Sequence, residues 1–320
     1  MTPLLRFLAA AALMAAGSAL AAWPEKPIRF IVPSAAGGSP DVVMRVLMQQ
    51  LSQQLGVPIV VENKPGASFV IGTMDIVRAA PDGYTLGYGN IVSLAINRSL
   101  QASLPYDVEK DLTLVSNTLR VFNLLAVNPK LPVNSVQELV AYAKKSPGKL
   151  VMASAGNGTT GHLGGELFKA MTGTYILHVP YRGSPQAIND LIAGEAQMMF
   201  DNISSIAPHA KSGRVKGIAV SGPRRSPVFP DLPTVAEAGV PGYETVAWGG
   251  VMGPAGLPKE IVARLHAEIR KALATPAVLD RYKPLDAEAD GGTPEEVLAL
   301  VRRETPKWAD VVKRSGAKLD

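Results

Sequence analysis

Two glycine-rich turns stand where a strand-like run gives way to a helix-like one, and both could hold an anion. The first is Pro33-Ser34-Ala35-Ala36-Gly37-Gly38-Ser39-Pro40-Asp41, after the apolar run Ile28 to Val32. The second is Ser154-Ala155-Gly156-Asn157-Gly158-Thr159-Thr160-Gly161-His162, after Leu150 to Ala153. A helix N-terminus presents N–H groups without intrahelical acceptors and roughly half a positive charge, and glycine lets a ligand approach that backbone. Gly37, Gly38 and Ser39 in the first turn, and Ser154, Ala155, Gly156, Asn157, Thr159 and Thr160 in the second, are therefore candidate ligand groups that could close on one carboxylate or phosphate. A third donor-rich turn runs Gly66-Ala67-Ser68-Phe69-Val70-Ile71-Gly72, adding Gly66, Ala67, Ser68 and Phe69. The Phe69 ring either packs into its own lobe as a hydrophobic staple or lines an apolar part of the site.

Each of these residues also has a purely structural reading. Ser39, Pro40 and Asp41 fit the N-cap, N1 and N2 positions of a helix, Thr160 and Ser68 fit caps of the next two, and Ser184 with Pro185 fits another. Asp201 and Asn202 follow the apolar run Gln197 to Phe200, at the strand end where open α/β sheets bind ligands. Asp201 would repel a bare carboxylate, so its functional role is to hold water, a hydroxyl or an amine; otherwise it caps a turn. Arg182 could clamp a carboxylate with two N–H donors, although loop arginines are mostly solvated. Trp248 belongs to the core or lines the cleft. His162, at a helix start, is read as a neutral hydrogen-bonding group because the helix dipole disfavours its cation.

Catalytic and cofactor signatures are sparse. Gly156-x-Gly158-x-x-Gly161 matches the dinucleotide fingerprint in letter, yet the position where an acidic residue is expected carries His178-Val179-Pro180-Tyr181. The chain has no G-x-S-x-G elbow, H-E-x-x-H or G-x-x-x-x-G-K-[ST] motif. A Ser-His-Asp triad assembled from distant segments is the residual catalytic reading. Its four histidines, His162, His178, His209 and His266, show no metal-ligand spacing. The expectation is therefore no catalytic residue, no cofactor and no metal.

Composition narrows the class further. There is no cysteine among 320 residues, which removes disulfides and thiolate chemistry. The formal charge of +5 is scattered rather than clustered, which suits small anions and not nucleic acid. Residues 1–21 read as a secretory signal, with Arg6, an apolar stretch from Phe7 to Ala16, and Ala19-Leu20-Ala21 as the cleavage site; cleavage is expected after Ala21, with export to the periplasm.

Positioning elements follow from periodicity. Apolar runs at 28–32, 59–62 and 85–88 alternate with helical patterns at 40–55 and 71–79, predicting βαβ units. In the first helix Met44, Leu47, Met48, Leu51 and Leu55 recur at spacings of three and four. A second series begins near Asn123 and runs through strands at 150–153, 175–179, 197–200 and 217–220. The expected division is residues 22–122 with 225–320 as one discontinuous lobe and 123–224 as the other, each a mainly parallel sheet flanked by helices, with the ligand cleft between them.

The ordered set of the first turn, Glu62-Asn63-Lys64-Pro65-Gly66-Ala67, Ala79-Ala80-Pro81-Asp82-Gly83-Tyr84-Thr85-Leu86, Val179-Pro180-Tyr181-Arg182-Gly183, Phe229-Pro230-Asp231-Leu232-Pro233-Thr234 and Gly253-Pro254-Ala255-Gly256-Leu257-Pro258 resembles the tripartite tricarboxylate transporter receptor family, the Bug receptors. The resemblance implies a two-lobed periplasmic binding protein, a monomer, that closes on a small carboxylate and passes it to the permease subunits of a membrane transporter. It also implies that the turns at Gly37 to Ser39, Gly66 to Ser68 and Ser154 to Thr160, with Asp201, face the cleft. Phe69 and Val70 stand where the family turn carries glycine and asparagine, which points to an aromatic or partly apolar acid. The alternatives are a sensory receptor for a membrane kinase and an exported hydrolase.

Overall fold

The computed structural model of the protein describes residues 23–317. The expected signal segment lies outside the described residues. Among those described, no helix is long and apolar enough to cross a membrane.

The first half runs β1 (Ile28–Val32), α1 (Ser39–Leu55), β2 (Ile59–Asn63), α2 (Val70–Val77), β3 (Thr85–Asn90), a π-helical turn at Val92–Ile96, and the long strand β4 (Leu112–Val127). There follow α3 (Val136–Lys145), β5 (Val151–Ser154), α4 (Thr160–Thr172), β6 (Leu177–Pro180), α5 (Ser184–Ala193), β7 (Met198–Asn202), α6 (Ile203–Lys211) and β8 (Lys216–Val220). The chain ends with β9 (Val246–Pro254), α7 (Lys259–Leu273), α8 (Pro276–Tyr282), β10 (Glu288–Ala289) and α9 (Pro294–Ser315).

Strand order is β2-β1-β3-β9-β4-β7-β5-β6, with β8 and β10 also paired to β4. The outer strands of each half pair in parallel, β1 with β2 and β3, and β5 with β6 and β7. The two long strands joining the halves, β4 and β9, run antiparallel to their neighbours. Residues 112–122 of β4 pair with β9, and residues 123–127 pair with β7 and β8.

Alternation along the strands explains why helices cover both faces. Phe30 and Val32 of β1 pack with Met44, Leu47 and Leu51 of α1, whereas Ile31 points to the opposite cluster with Ile76 and Trp308. In the second half Leu125 and Val127 of β4 join Phe168 and Phe200, while Leu124 and Ala126 join Met199 and Ile203. Val235, Ala238, Val240 and Tyr243 also belong to the Phe168–Phe200 core, although the sequence division gives them to the first lobe. We propose that the chain returns to that lobe at β9.

Several expected caps sit one residue away from their assigned places. Gly38 is the N-cap of α1, so Ser39 is inside the helix and its hydroxyl is free to bond elsewhere. Thr159, not Thr160, caps α4, accepting from the His162 N–H at 3.3 Å. Gly183 precedes α5 in place of Ser184, and neither Ser68 nor the N-cap residue Phe69 makes a side-chain cap on α2.

Close strand packing rests on glycine at β9. A Cβ on Gly250 would lie 1.9 Å from the Ser116 carbonyl oxygen, a backbone atom that cannot swing aside. Gly250→Ala is expected to lower unfolding free energy by about 3 kcal/mol or more, the upper end of overpacking costs. A urea midpoint equal to that of the parent protein would contradict this account of how β4 and β9 fit together.

Candidate functional site

A cavity of about 680 Å³ lies where the strand ends of the two halves meet. The starts of four helices line it: Gly38 and Ser39 of α1, Ser68 and Phe69 of α2, Thr159 and Thr160 of α4, and Gly183 and Ser184 of α5. The lining contains no lysine, one arginine (Arg182) and one carboxylate (Asp201). Positive potential in the site therefore comes mainly from helix ends and backbone N–H groups.

Of the residues singled out in the sequence, Gly38, Ser39, Gly66, Ala67, Ser68, Phe69, Ala155, Gly156, Asn157, Thr159, Thr160, Asp201, Arg182 and Trp248 line the cavity. Gly37, Ser154 and His162 do not; they stand behind it and hold its wall. The Gly37 N–H donates to Asp41 Oδ2 at 2.9 Å, and Asp41 is itself fixed by Arg45 Nε at 2.8 Å and Asn63 Nδ2 at 2.9 Å. Gly37 has φ +77°, so its glycine identity serves the bend rather than ligand access.

The second turn is braced by two histidines that sequence spacing does not bring together. His162 Nδ1 accepts from the Gly158 N–H at 2.9 Å, and His178 Nε2 bonds the Ser154 hydroxyl at 2.7 Å. The two imidazoles stack with centroids 4.0 Å apart and planes 17° from parallel. Burial depresses both, with the Lys169 charge adding to the effect on His162 and the neighbouring His162 and Lys169 adding to it on His178; they fall to about 4 and about 3. Both rings are thus neutral near pH 7, as the acceptor role of His162 requires. With the N–H groups of Gly156, Gly158 and Thr159 engaged by the Ser154 hydroxyl, His162 and the Gly156 carbonyl, those of Asn157 and Thr160 remain for a ligand.

His162, His178 and Glu166 bring potential ligand atoms within 4.8 Å of one another. The Lys169 ammonium sits 2.7 Å from Glu166 Oε1, the same oxygen that lies 3.9 Å from His162 Nε2. Lysine thus supplies the positive charge in this cluster, and flat stacking does not aim the two imidazole lone pairs at a common point. Ser154 and His178 form the only serine–imidazole hydrogen bond among the described residues. Ser154 is fully buried off the cavity, and Asp201, the nearby lining carboxylate, bonds serines instead of histidine.

The third turn carries backbone strain. Ala67, Ser68 and Phe69 are consecutive left-handed residues with φ of 44°, 49° and 72°, a conformation costing roughly 1–2 kcal/mol for each L-residue. Asn97 Nδ2 donates to the Ser68 carbonyl at 2.7 Å, and the Ser68 hydroxyl donates to the Asn157 carbonyl at 2.7 Å, tying this turn to the second one across the cleft. A further cross-cleft bond joins the hydroxyls of Ser39 and Ser204. Phe69 packs against the Ile76–Trp308 cluster and also lines the cavity.

Asp201 is buried and accepts from the Ser184 hydroxyl at 2.8 Å and from the Ser205 hydroxyl. Arg182 is exposed at the cavity edge, and Asn202 lines it beside Asp201, while Ser184, Tyr88 and Asn90 are lining residues that sequence reasoning does not select. Ser184 was read only as a cap, and Tyr88 and Asn90 were hidden in an ordinary strand.

Residues 43–317 match the model of the tripartite tricarboxylate transporter family receptor. The chain belongs to that family. Among solved structures, R. palustris Rpa4515 with adipate is 37% identical, covers 93% of this chain and 100% of its own, and superposes with a TM-score of 0.91. The periplasmic binding protein BugD is 34% identical, covering 92% and 99%, with a TM-score of 0.88. MatC from Rhodopseudomonas palustris with bound malate is 32% identical, covering 91% and 100%, with a TM-score of 0.86. Family and fold are those of substrate-binding receptors, and the structures it resembles include a periplasmic binding protein.

Burial pushes the Asp201 carboxyl up to about 6, against the opposing pull of the Ser205 and Ser184 hydroxyls and the Asn202 N–H. A folded-state value above the ordinary 3.8 means that the folded protein keeps a proton the unfolded chain has lost. This group therefore weakens folding as pH rises from about 4 through 6. The neutral histidines act oppositely: their contribution is whole above 6.5 and is lost as pH falls towards 4 and 3. Asp201→Asn should gain stability relative to the parent protein as pH rises through the Asp201 window, then level off. Urea unfolding at a series of pH values checks this, and parallel profiles would refute it.

Proposed function

We propose that this receptor binds a small carboxylate in the cleft and delivers it unchanged to the permease subunits of a tripartite tricarboxylate-type transporter, acting as a monomer in the periplasm after signal cleavage. The observation that carries the reading is the convergence of four helix starts on a cavity with no lysine and a single exposed arginine. Burying an isolated carboxylate is severely unfavourable unless its oxygens receive hydrogen bonds. Four such bonds at ~1.5–3 kcal/mol each would supply about 6–12 kcal/mol before ordering costs, and micromolar binding needs about 8. Backbone and hydroxyl donors therefore suffice.

We assign the ligand-binding groups to Gly38 and Ser39, to Gly66 through Phe69, to Ala155 through Asn157 with Thr159 and Thr160, and to Arg182 at the rim. Asp201 acts by orienting Ser184 and Ser205. Gly37, Ser154 and His162 support the turns from behind. Adipate in Rpa4515 and malate in MatC are both carboxylates, which supports the same ligand class here. The Phe69 ring on the cavity wall favours an acid with an aromatic or otherwise apolar part. Ligand closure then converts occupancy into a shape that a permease can distinguish.

Mass spectrometry of solute released from the purified protein by denaturation, followed by calorimetry with that solute, tests the reading; recovery of a chemically altered product on incubation would instead indicate an enzyme. Phe69→Gly should weaken binding of benzoate and phenylacetate about tenfold while changing binding of short aliphatic acids less. Equal losses for both classes would remove ring recognition.

A further inference from the structure

The peptide bond between Asn157 and Gly158 is held at both of its polar atoms, from opposite sides of the cleft. Its carbonyl accepts from the Ser68 hydroxyl at 2.7 Å, and its N–H donates to His162 Nδ1 at 2.9 Å. His162 belongs to the same half of the fold as this turn, whereas Ser68 belongs to the other. Gly158 has φ +76°, where glycine backbone swings easily, so without both grips this peptide would be free to turn over. The amides on either side of it, those of Asn157 and Thr160, are the ones this turn leaves for a ligand.

The meeting of the two turns is a fitted seat. A Cβ on Gly158 would lie 2.5 Å from Leu100 Cδ1 and 3.9 Å from both the Ser68 hydroxyl oxygen and Val92 Cγ1, all three on the opposite half. On its own side Ser68 is the middle one of three consecutive left-handed residues, a strained conformation that persists only where the surroundings fix it. The fixing groups are on hand. Fully buried Asn97 donates Nδ2 to the Ser68 carbonyl at 2.7 Å, and the N–H groups of Val70 and Thr73 return to the carbonyls of Ala67 and Phe69 at 3.0 and 3.1 Å. A serine hydroxyl has one proton, and here the Asn157 carbonyl takes it, so this side chain has none left to donate to a carboxylate.

Building on the carboxylate reading above, we infer that Ser68 is a positioning residue for the anion: its hydroxyl reaches across the cleft to fix the Asn157–Gly158 peptide, and through it the N–H groups that the ligand meets. Closing of the two halves and ordering of the anion-binding turn are then one event. With the halves parted the turn keeps only the His162 grip; when they meet, Ser68 supplies the second and the donors are set for a carboxylate. The strain at residues 67–69 has a use here, since it aims the hydroxyl at the other half instead of along its own helix, where neither Ser68 nor Phe69 makes a side-chain cap.

Ser68→Ala removes the hydroxyl and keeps the strain; Ser68→Gly removes both, and each retains the backbone carbonyl that Asn97 holds. Calorimetry with adipate and with malate should show both variants about fivefold weaker than the parent, by similar factors for the two acids, the worth of one neutral hydrogen bond. Ser68→Gly should at the same time unfold at a urea concentration no lower than the parent, because glycine is unstrained at positive φ. In the absence of any acid, hydrogen exchange resolved by ¹⁵N spectra should show the Gly158 amide at least fivefold faster in both variants. Unchanged affinity, affinity lost only in step with the urea midpoint, or a Gly158 amide that exchanges as in the parent would overturn the role of Ser68 and leave the carboxylate reading intact. Binding of neither acid by the parent at millimolar concentration would count against the carboxylate reading, and the exchange measurement, made without acid, still decides for or against Ser68.

Discussion

Four helix starts aimed at one cavity are the constraint on which the rest of this molecule depends. A helix end supplies only a partial charge and a few N–H groups, so their effect is felt only within about a turn. The strands must therefore end close together, and the turns between strand and helix must be tight. β1, β2, β5 and β6 end at the cavity edge, and α1, α2, α4 and α5 begin within seven residues of those ends. Parallel pairing in each outer half is what brings successive strand-to-helix turns to the same edge.

Holding such turns in place uses uncharged groups and neutralised ones. Asp41 braces the first turn through the Gly37 N–H, His162 and His178 brace the second, and Asn97 braces the left-handed third. None of these four turn-facing bonds relies on a full charge exposed to the cavity. The result is a wall whose donors are fixed before a ligand arrives, which lowers the ordering cost of binding.

Much of this was legible in the chain, for physical reasons that also explain what was not. Strands β1, β2, β5 and β7 announce themselves as apolar runs, and α1 by its three-and-four spacing, because burial on the sheet demands those patterns. β4 and β9 escaped. The outer part of β4 carries Ser116, Asn117 and Thr118 among bulges that break alternation, and β9 is interrupted by Gly249, Gly250 and Gly253. The caps expected at Ser39 and Thr160 sit one residue earlier, because two adjacent threonines start α4 and do not say which one turns inward, while at α1 the glycine before Ser39 takes the cap's extended backbone. The His162–His178 stack joins residues on α4 and β6, and the Asp201 network joins β7 to α5 and α6; such meetings are set by strand order, which short-range patterns do not encode. The glycine-rich turns themselves were readable because the backbone there has few other uses for so many glycines beside a helix start.

The two lobes are not linked by loose tethers where β4 and β9 pass between them. Residues 112–122 of β4 belong to one ladder and 123–127 to another, in an unbroken strand, with β9 beside it as far as Val246. Parting the lobes must therefore flex a paired ribbon, as a leaf spring bends, and cannot simply unhinge a coil. Between Phe122 and Asn123 β4 exchanges β9 for β7 and β8 as partners, so the junction of the halves is itself a hydrogen-bonded element.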